Sequence, residues 1–144
     1  MNKPQIAAIL NARLADATDL RSQVKQAHWN LRSPQFIALH ELFDAIAGRL
    51  DVHIDDLAER AVQLGTLAQG TVRQAAAAST LPEPPAAPVW LDWLLAQIST
   101  HAANVRAAID QTAALGDAGT SDLLTGMVRE LDKDIWFLDA HRAA

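Results

Sequence analysis

The sequence predicts an all-α protein, a four-helix bundle in which a long crossover containing a short helix joins the second and third long helices. Three observations carry this expectation. Half of the 144 residues are hydrophobic, Tyr and Cys are absent, and Ala, Leu, Gln and Arg are plentiful, a composition that suits helices better than a sheet. Apolar residues recur at steps of three and four along most of the chain. Proline is concentrated in one stretch, Leu81-Pro-Glu-Pro-Pro-Ala-Ala-Pro88, which cannot be helical. The length suits one domain over residues 1–144, with a sizeable core.

Each element has its own signal. Pro4 fits a first helical turn, and Ile6, Leu10, Leu14, Ala17, Leu20, Val24 and His28 follow at helical spacing, so the first helix spans about 4–30. Ser33-Pro34 reads as an N-cap followed by a first-turn proline. The pattern then runs to Gly65, a natural stop, giving a second helix over about 34–64 that is about 46 Å long. Thr71 to Ser79 suits a short helix inside the crossover. Val89 to Leu115, closed by Gly116, makes the third long helix, and Thr120 or Ser121 caps a fourth that runs through Trp136. Four long helices with one long middle link describe an up-down-down-up bundle of the ferritin type.

Composition narrows the function. Without Cys there are no disulfides or thiolate metal sites. No stretch approaches the roughly 18 apolar residues of a membrane helix, and residues 1–15 lack a signal-peptide pattern, so a soluble cytoplasmic protein is expected. A net charge of -5 with only three lysines, Lys3, Lys25 and Lys133, argues against a broad phosphate-binding surface.

The second helix carries the chemistry. His40 with Asp44, and Asp55 with Glu59, are each spaced i, i+4, so each pair meets one turn apart, where it can grip a metal ion. On a helical wheel Phe36, Leu39, Phe43, Ile46, Leu50, Ile54, Leu57, Ala61 and Leu64 form one apolar stripe, and the four ligand candidates lie about 130° away from its centre. They do not point into the bundle. A di-iron site in the bundle core needs inward Glu-x-x-His motifs, and the sequence has none. A merely solvated face is the bland alternative, but Ile37, Gly48, Val52, Ala58 and Val62 make this face too apolar for that and suggest an interface. Asp44 and Asp55 stand about 16 Å apart along one helix and cannot share an ion within a chain. The midpoint of His40 and Glu59 coincides with that of Asp44 and Asp55, beside Arg49. Two copies crossing antiparallel near Gly48 would therefore form two identical sites. His28 can add an imidazole, and the donor set suits iron, manganese or zinc without choosing among them.

The runs Lys25-Gln-Ala-His-Trp-Asn30, Phe36-Ile-Ala-Leu-His-Glu-Leu-Phe-Asp44 and His53-Ile-Asp-Asp-Leu-Ala-Glu-Arg-Ala-Val-Gln-Leu-Gly65 closely resemble the Dps family of mini-ferritins, and Glu130-Leu-Asp-Lys-Asp-Ile-Trp-Phe-Leu138 resembles its last helix. The resemblance implies a ferroxidase site made of His28, His40 and Asp44 from one subunit and Asp55 and Glu59 from a two-fold partner. It further implies a hollow homo-dodecamer that oxidises Fe(II), preferentially with hydrogen peroxide, and stores ferric oxyhydroxide, suppressing hydroxyl radical. Trp29 would lie beside the iron, as an electron donor or as an interface anchor. Trp90, Trp93 and Trp136 are expected to be packing residues. Asp117, Asp122 and Glu130, at or near the start of the last helix, either line an iron-entry pore or, as Asp122 suggests, cap and complement the helix dipole. His53, His101 and His141 have no assigned partners and are expected to be structural or exposed.

The chain departs from DNA-coating relatives, which carry a long lysine-rich arm before the first helix; here only Lys3 precedes it, and the last helix is followed by a short end containing Arg142. DNA binding is expected to be weak or absent, with nucleoid association only if DNA is bound.

Overall fold

The computed structural model describes residues 1–142. Its helices are α1 (Lys3–Asn30), α2 (Phe36–Gln63), α3 (Val72–Ala78), α4 (Trp90–Ala114) and α5 (Ala118–Asp139), with no strand among the described residues. The short α3 lies on α1, inside the link between α2 and α4. α1 pairs with α2 and α4 with α5, and α1 also packs against α4, the arrangement expected for two helical hairpins joined by a crossover.

The helix stops fall where the glycines are. Gly65 and Gly116 both adopt φ +85°, a conformation that costs a glycine little and other residues more. At each of these ends two backbone bonds close the helix, Gly65 N–H to Val62 and Thr66 N–H to Ala61 in α2, Gly116 N–H to Ala113 and Asp117 N–H to Thr112 in α4.

Two starts differ from expectation. Ser33 and Pro34 form a turn before α2, in which the Ser33 hydroxyl takes the Gln35 N–H and the Ser33 carbonyl the Phe36 N–H; α2 begins at Phe36 without a side-chain cap. Asp117, not Thr120 or Ser121, caps α5. Its carboxylate accepts the Thr120 N–H at 3.1 Å, and an aspartate that also bonds Arg60 wins over two downstream hydroxyls.

The core is built from the predicted stripes. Ile6, Leu10, Leu14, Leu20 and Val24 of α1 meet Leu39, Phe43, Ile46, Leu50 and Leu57 of α2, with Leu94, Ile98 and Val105 of α4 and Leu124, Leu131 and Leu138 of α5. The proline-rich link is tied to α1 by buried polar groups. Asp16, fully buried, accepts the Thr80 N–H and hydroxyl and pairs with Arg13, while Gln23 donates to the Pro82 carbonyl and accepts the Trp93 indole N–H. Trp90 and Trp93 pack against the core as expected, but Trp136 does not: it is 64% exposed on α5, because its helical position faces away from the stripe of Leu124, Leu131 and Leu138. Among the described residues no helix is long and apolar enough to cross a membrane.

Candidate metal centre

The end of α1 and the second turn of α2 hold two imidazoles in a reciprocal clasp. Carbonyls in the last turn of a helix lack partners along the helix. His40 uses one of them, its Nδ1 lying 2.7 Å from the His28 carbonyl, while His28 Nδ1 lies 2.6 Å from the His40 carbonyl. A carbonyl only accepts, so each Nδ1 carries a proton, and in the neutral form of such a ring the lone pair is at Nε2. The rings stack with centroids 3.8 Å apart and planes 12° from parallel, and Phe36 stacks on His40 at 4.9 Å. Two Nε2 atoms are thus fixed in tautomer and orientation before any ion arrives, the role a second shell plays at metal-binding histidines.

Asp44 completes this cluster. Its Oδ1 lies 3.9 Å from His28 Nε2, and the side chain is about half exposed. Lys25 donates to the same oxygen at 2.9 Å, and this hydrogen bond and the ammonium charge hold the Asp44 carboxyl below its ordinary range. Sequence reasoning missed Lys25 as a site residue. A signal was present, since Lys25 precedes His28 by three positions and so shares its face of α1.

Asp55 and Glu59 are not brought to this cluster. Both are exposed, one to two turns from the far end of the same helix, and no group of three or more potential ligands converges on one point among the described residues. The face they share with Asp44 carries bare apolar side chains: Ile37 is 63% exposed, Val52 58% and Val62 55%, and Trp29 on α1 is 63% exposed. A Cβ added at Gly48 would meet nothing within 4 Å, so this part of the face is open to close approach.

The acids expected near the start of the last helix separate into three situations. Asp117 is buried, and its carboxylate is engaged by Thr120 and by Arg60 at 3.0 Å. Burial pushes its carboxyl up, but the Thr120 hydroxyl and N–H and the Arg60 charge outweigh that and hold it below the ordinary range. Glu130 is not at the start of α5 at all. It lies past the middle of that helix and pairs with His53 Nε2 at 2.8 Å. Only Asp122 is exposed near the helix start, beside a shallow recess lined by Asp56, Glu59 and Gln63.

The remaining histidines have the structural surroundings allowed for them. His53 is buried with Glu130 as partner, and His141 Nδ1–H donates to the Phe137 carbonyl at 2.6 Å. His101 is buried beside Arg13, and burial together with that charge lowers its imidazole to about 4. Arg49 and Asp134, which sequence reasoning left unpaired, form a bridge with Nε–Oδ1 at 3.0 Å between α2 and α5; burial pushes the Asp134 carboxyl up although Arg49 pulls it down.

The chain is similar to known proteins over nearly its whole length. A family model described as a ferritin-like domain matches residues 7–143. The chain is 43% identical over 144 residues to the DNA protection during starvation protein of Agrobacterium fabrum, covering 96% of this chain and 88% of that one. Its structure is similar to DpsC from Streptomyces coelicolor, with TM-score 0.93, 33% identity, and coverage of 99% of this chain and 86% of that one. It is also similar to Dps from Vibrio cholerae O1, described as a member of a broad superfamily of ferritin-like diiron-carboxylate proteins, with TM-score 0.89, 27% identity, and coverage of 96% and 89%. With the family model matching residues 7–143 and the Agrobacterium relative 43% identical over nearly the whole chain, the chain belongs to the Dps family of ferritin-like proteins.

Proposed function

We propose that the protein oxidises Fe(II), preferentially with hydrogen peroxide, at sites each completed by two subunits, and stores the ferric product inside a homo-dodecamer. One observation carries this reading. His28 and His40 stack with each Nδ1 bonded to the other's carbonyl, and Asp44 Oδ1 lies 3.9 Å from His28 Nε2, while Asp55 and Glu59 stand exposed on the same face of α2 with no partner among the described residues. A second copy of α2 crossing antiparallel near Gly48 supplies the missing carboxylates to each cluster.

Two imidazoles and three carboxylates suit Fe(II) as substrate, and anionic oxygens stabilise the more highly charged Fe(III). Zinc and manganese are chemically acceptable substitutes. Two Fe(II) ions each give one electron to one peroxide, which takes up two protons and leaves as two waters, so no hydroxyl radical is released. Trp29, exposed on this face, serves as an aromatic anchor across the subunit contact and stands close enough to the ligands to give up an electron to a stray oxidant. Asp122, beside Glu59, is the member of the proposed entry-pore set that is free to meet an incoming cation.

The name of the Agrobacterium relative refers to DNA protection, which compaction of DNA or removal of the oxidant would each accomplish. A net charge of -5 favours the second, with weak DNA binding at ordinary salt. Anaerobic Fe(II) loading followed by a peroxide pulse tests the reading, with Asp55→Ala plus Glu59→Ala as the comparison. Slow oxidation in the variant is expected; equal kinetics in the two proteins would remove the assignment.

A further inference from the structure

Lys25 is the one charged group in the cluster that has no lone pair for a cation in its ammonium form. Its Nζ sits 2.9 Å from Asp44 Oδ1, the carboxylate oxygen that is also 3.9 Å from His28 Nε2. An ion bonded to both atoms needs two bonds of about 2.1 Å, which together span at most about 4.2 Å. The imidazole and carboxylate are therefore already within bridging reach, and the oxygen an ion would use is the one the ammonium holds.

We propose that Lys25 is a built-in competitor for the metal. It occupies Asp44 while the site is empty, keeps that carboxylate turned toward His28, and must release the oxygen before an ion can bind there. The proposal rests on the reading of His28, His40 and Asp44 as ligands. A place for the released ammonium is at hand, because Nζ already lies 5.9 Å from the centroid of the exposed Trp29 ring, at the range where a cation is attracted to an aromatic face. Lys25 is half-buried, with 21% of its side chain exposed, so its charge is only partly screened from an ion a few ångströms away. The consequence is a threshold. Cations that bind imidazole and carboxylate strongly displace the ammonium, and cations that bind them weakly do not. Lys25 is thus a positioning and specificity-determining residue rather than a catalytic one.

The test is equilibrium binding of Co(II) alone to the assembled protein under anaerobic conditions, followed by its visible absorption. Lys25→Met and Lys25→Gln should each bind Co(II) on the order of ten-fold more tightly than the parent, the scale on which groups next to metal ligands act. Lys25→Arg, which keeps the charge, should show no gain. A residue that only supports the fold would give the opposite sign, with weaker binding in Lys25→Met. Unchanged or weaker binding in both Lys25→Met and Lys25→Gln, or a gain in Lys25→Arg equal to theirs, would overturn the proposal. Asp44→Asn separates the two levels. If it keeps the parent's Co(II) band, the ligand assignment fails and the role of Lys25 falls with it; if it loses the band while Lys25→Met binds like the parent, only the role of Lys25 fails.

Discussion

On the side of α2 that turns toward α5, three polar side chains have each found a partner within the chain: Arg49 with Asp134, His53 with Glu130, and Arg60 with Asp117. On the outward side, His40 and Asp44 are held at one end by His28 and Lys25, and Asp55 and Glu59 at the other end have no partner among the described residues. Buried polar groups cost free energy unless they are paired, so the inward set is explained by folding alone. The outward set is not. Four ligand-type side chains spread along one helix, among exposed Ile37, Val52 and Val62, fit the proposed contact with a second chain.

Substitutions on the two sides should therefore act on different quantities. The largest effect is expected from Asp44→Asn or from Asp55→Ala plus Glu59→Ala, which should slow peroxide-driven Fe(II) oxidation by at least the ~100-fold that loss of a group next to the ligands can cause, as followed by stopped-flow absorbance. Next is Arg49→Leu, which leaves Asp134 buried beside α2 without its cation. A loss of about 3–5 kcal/mol in denaturant unfolding is expected, and a loss no larger than that of a surface substitution would show that the inward bridge is dispensable.

His101 gives a pH signature of the inward side. Its folded-state value is lowered to about 4 from 6.5 by burial and by Arg13, so the unfolded chain takes up this proton first as the pH falls. Stability should drop between pH 6.5 and 4 by about 3 kcal/mol, and His101→Leu should flatten that slope in unfolding measurements. An unchanged slope would assign the acid sensitivity to other groups.

Asp117→Ala removes a helix cap and the partner of Arg60, for an expected loss of about 2 kcal/mol. Because the Asp117 carboxyl is held below its ordinary value of 3.8, its contribution is present above that pH and disappears as the pH falls through the lower folded-state value. Smallest of all, Asp55→Ala should change stability by less than about 0.5 kcal/mol, as expected for an exposed group without a partner. A larger loss would mean that Asp55 belongs to the inward account.

Much of this was legible in the residues. The periodic stripes located the long helices, and the stops at Gly65 and Gly116 were readable because one residue type answers one backbone need. The starts were harder. Asp117, Thr120 and Ser121 are all competent caps, and the choice was made by Arg60, 57 residues away in sequence. Ser33-Pro34 made a turn, since a cap motif fixes local bonds without fixing the direction in which the helix leaves. The same limit explains Trp136, because helical spacing shows which residues share a face and not whether that face meets the core. In the candidate centre, the wheel alone placed His40, Asp44, Asp55 and Glu59 on an outward face. The clasp between His28 and His40 and the hold of Lys25 on Asp44 were hidden, because they depend on where α1 ends against α2.

The division of the site between chains can be tested by complementation. One subunit carries His28→Ala plus Asp44→Asn, the other Asp55→Ala plus Glu59→Ala, and each alone should assemble without rapid Fe(II) oxidation. Co-assembled, a mixed pair contains one site with every ligand intact and one with none of these four, so peroxide-driven oxidation should return in the mixture to a fraction of the parent rate. If the mixture stays as inactive as its components although mixed assemblies form, the ligands do not meet across a subunit contact.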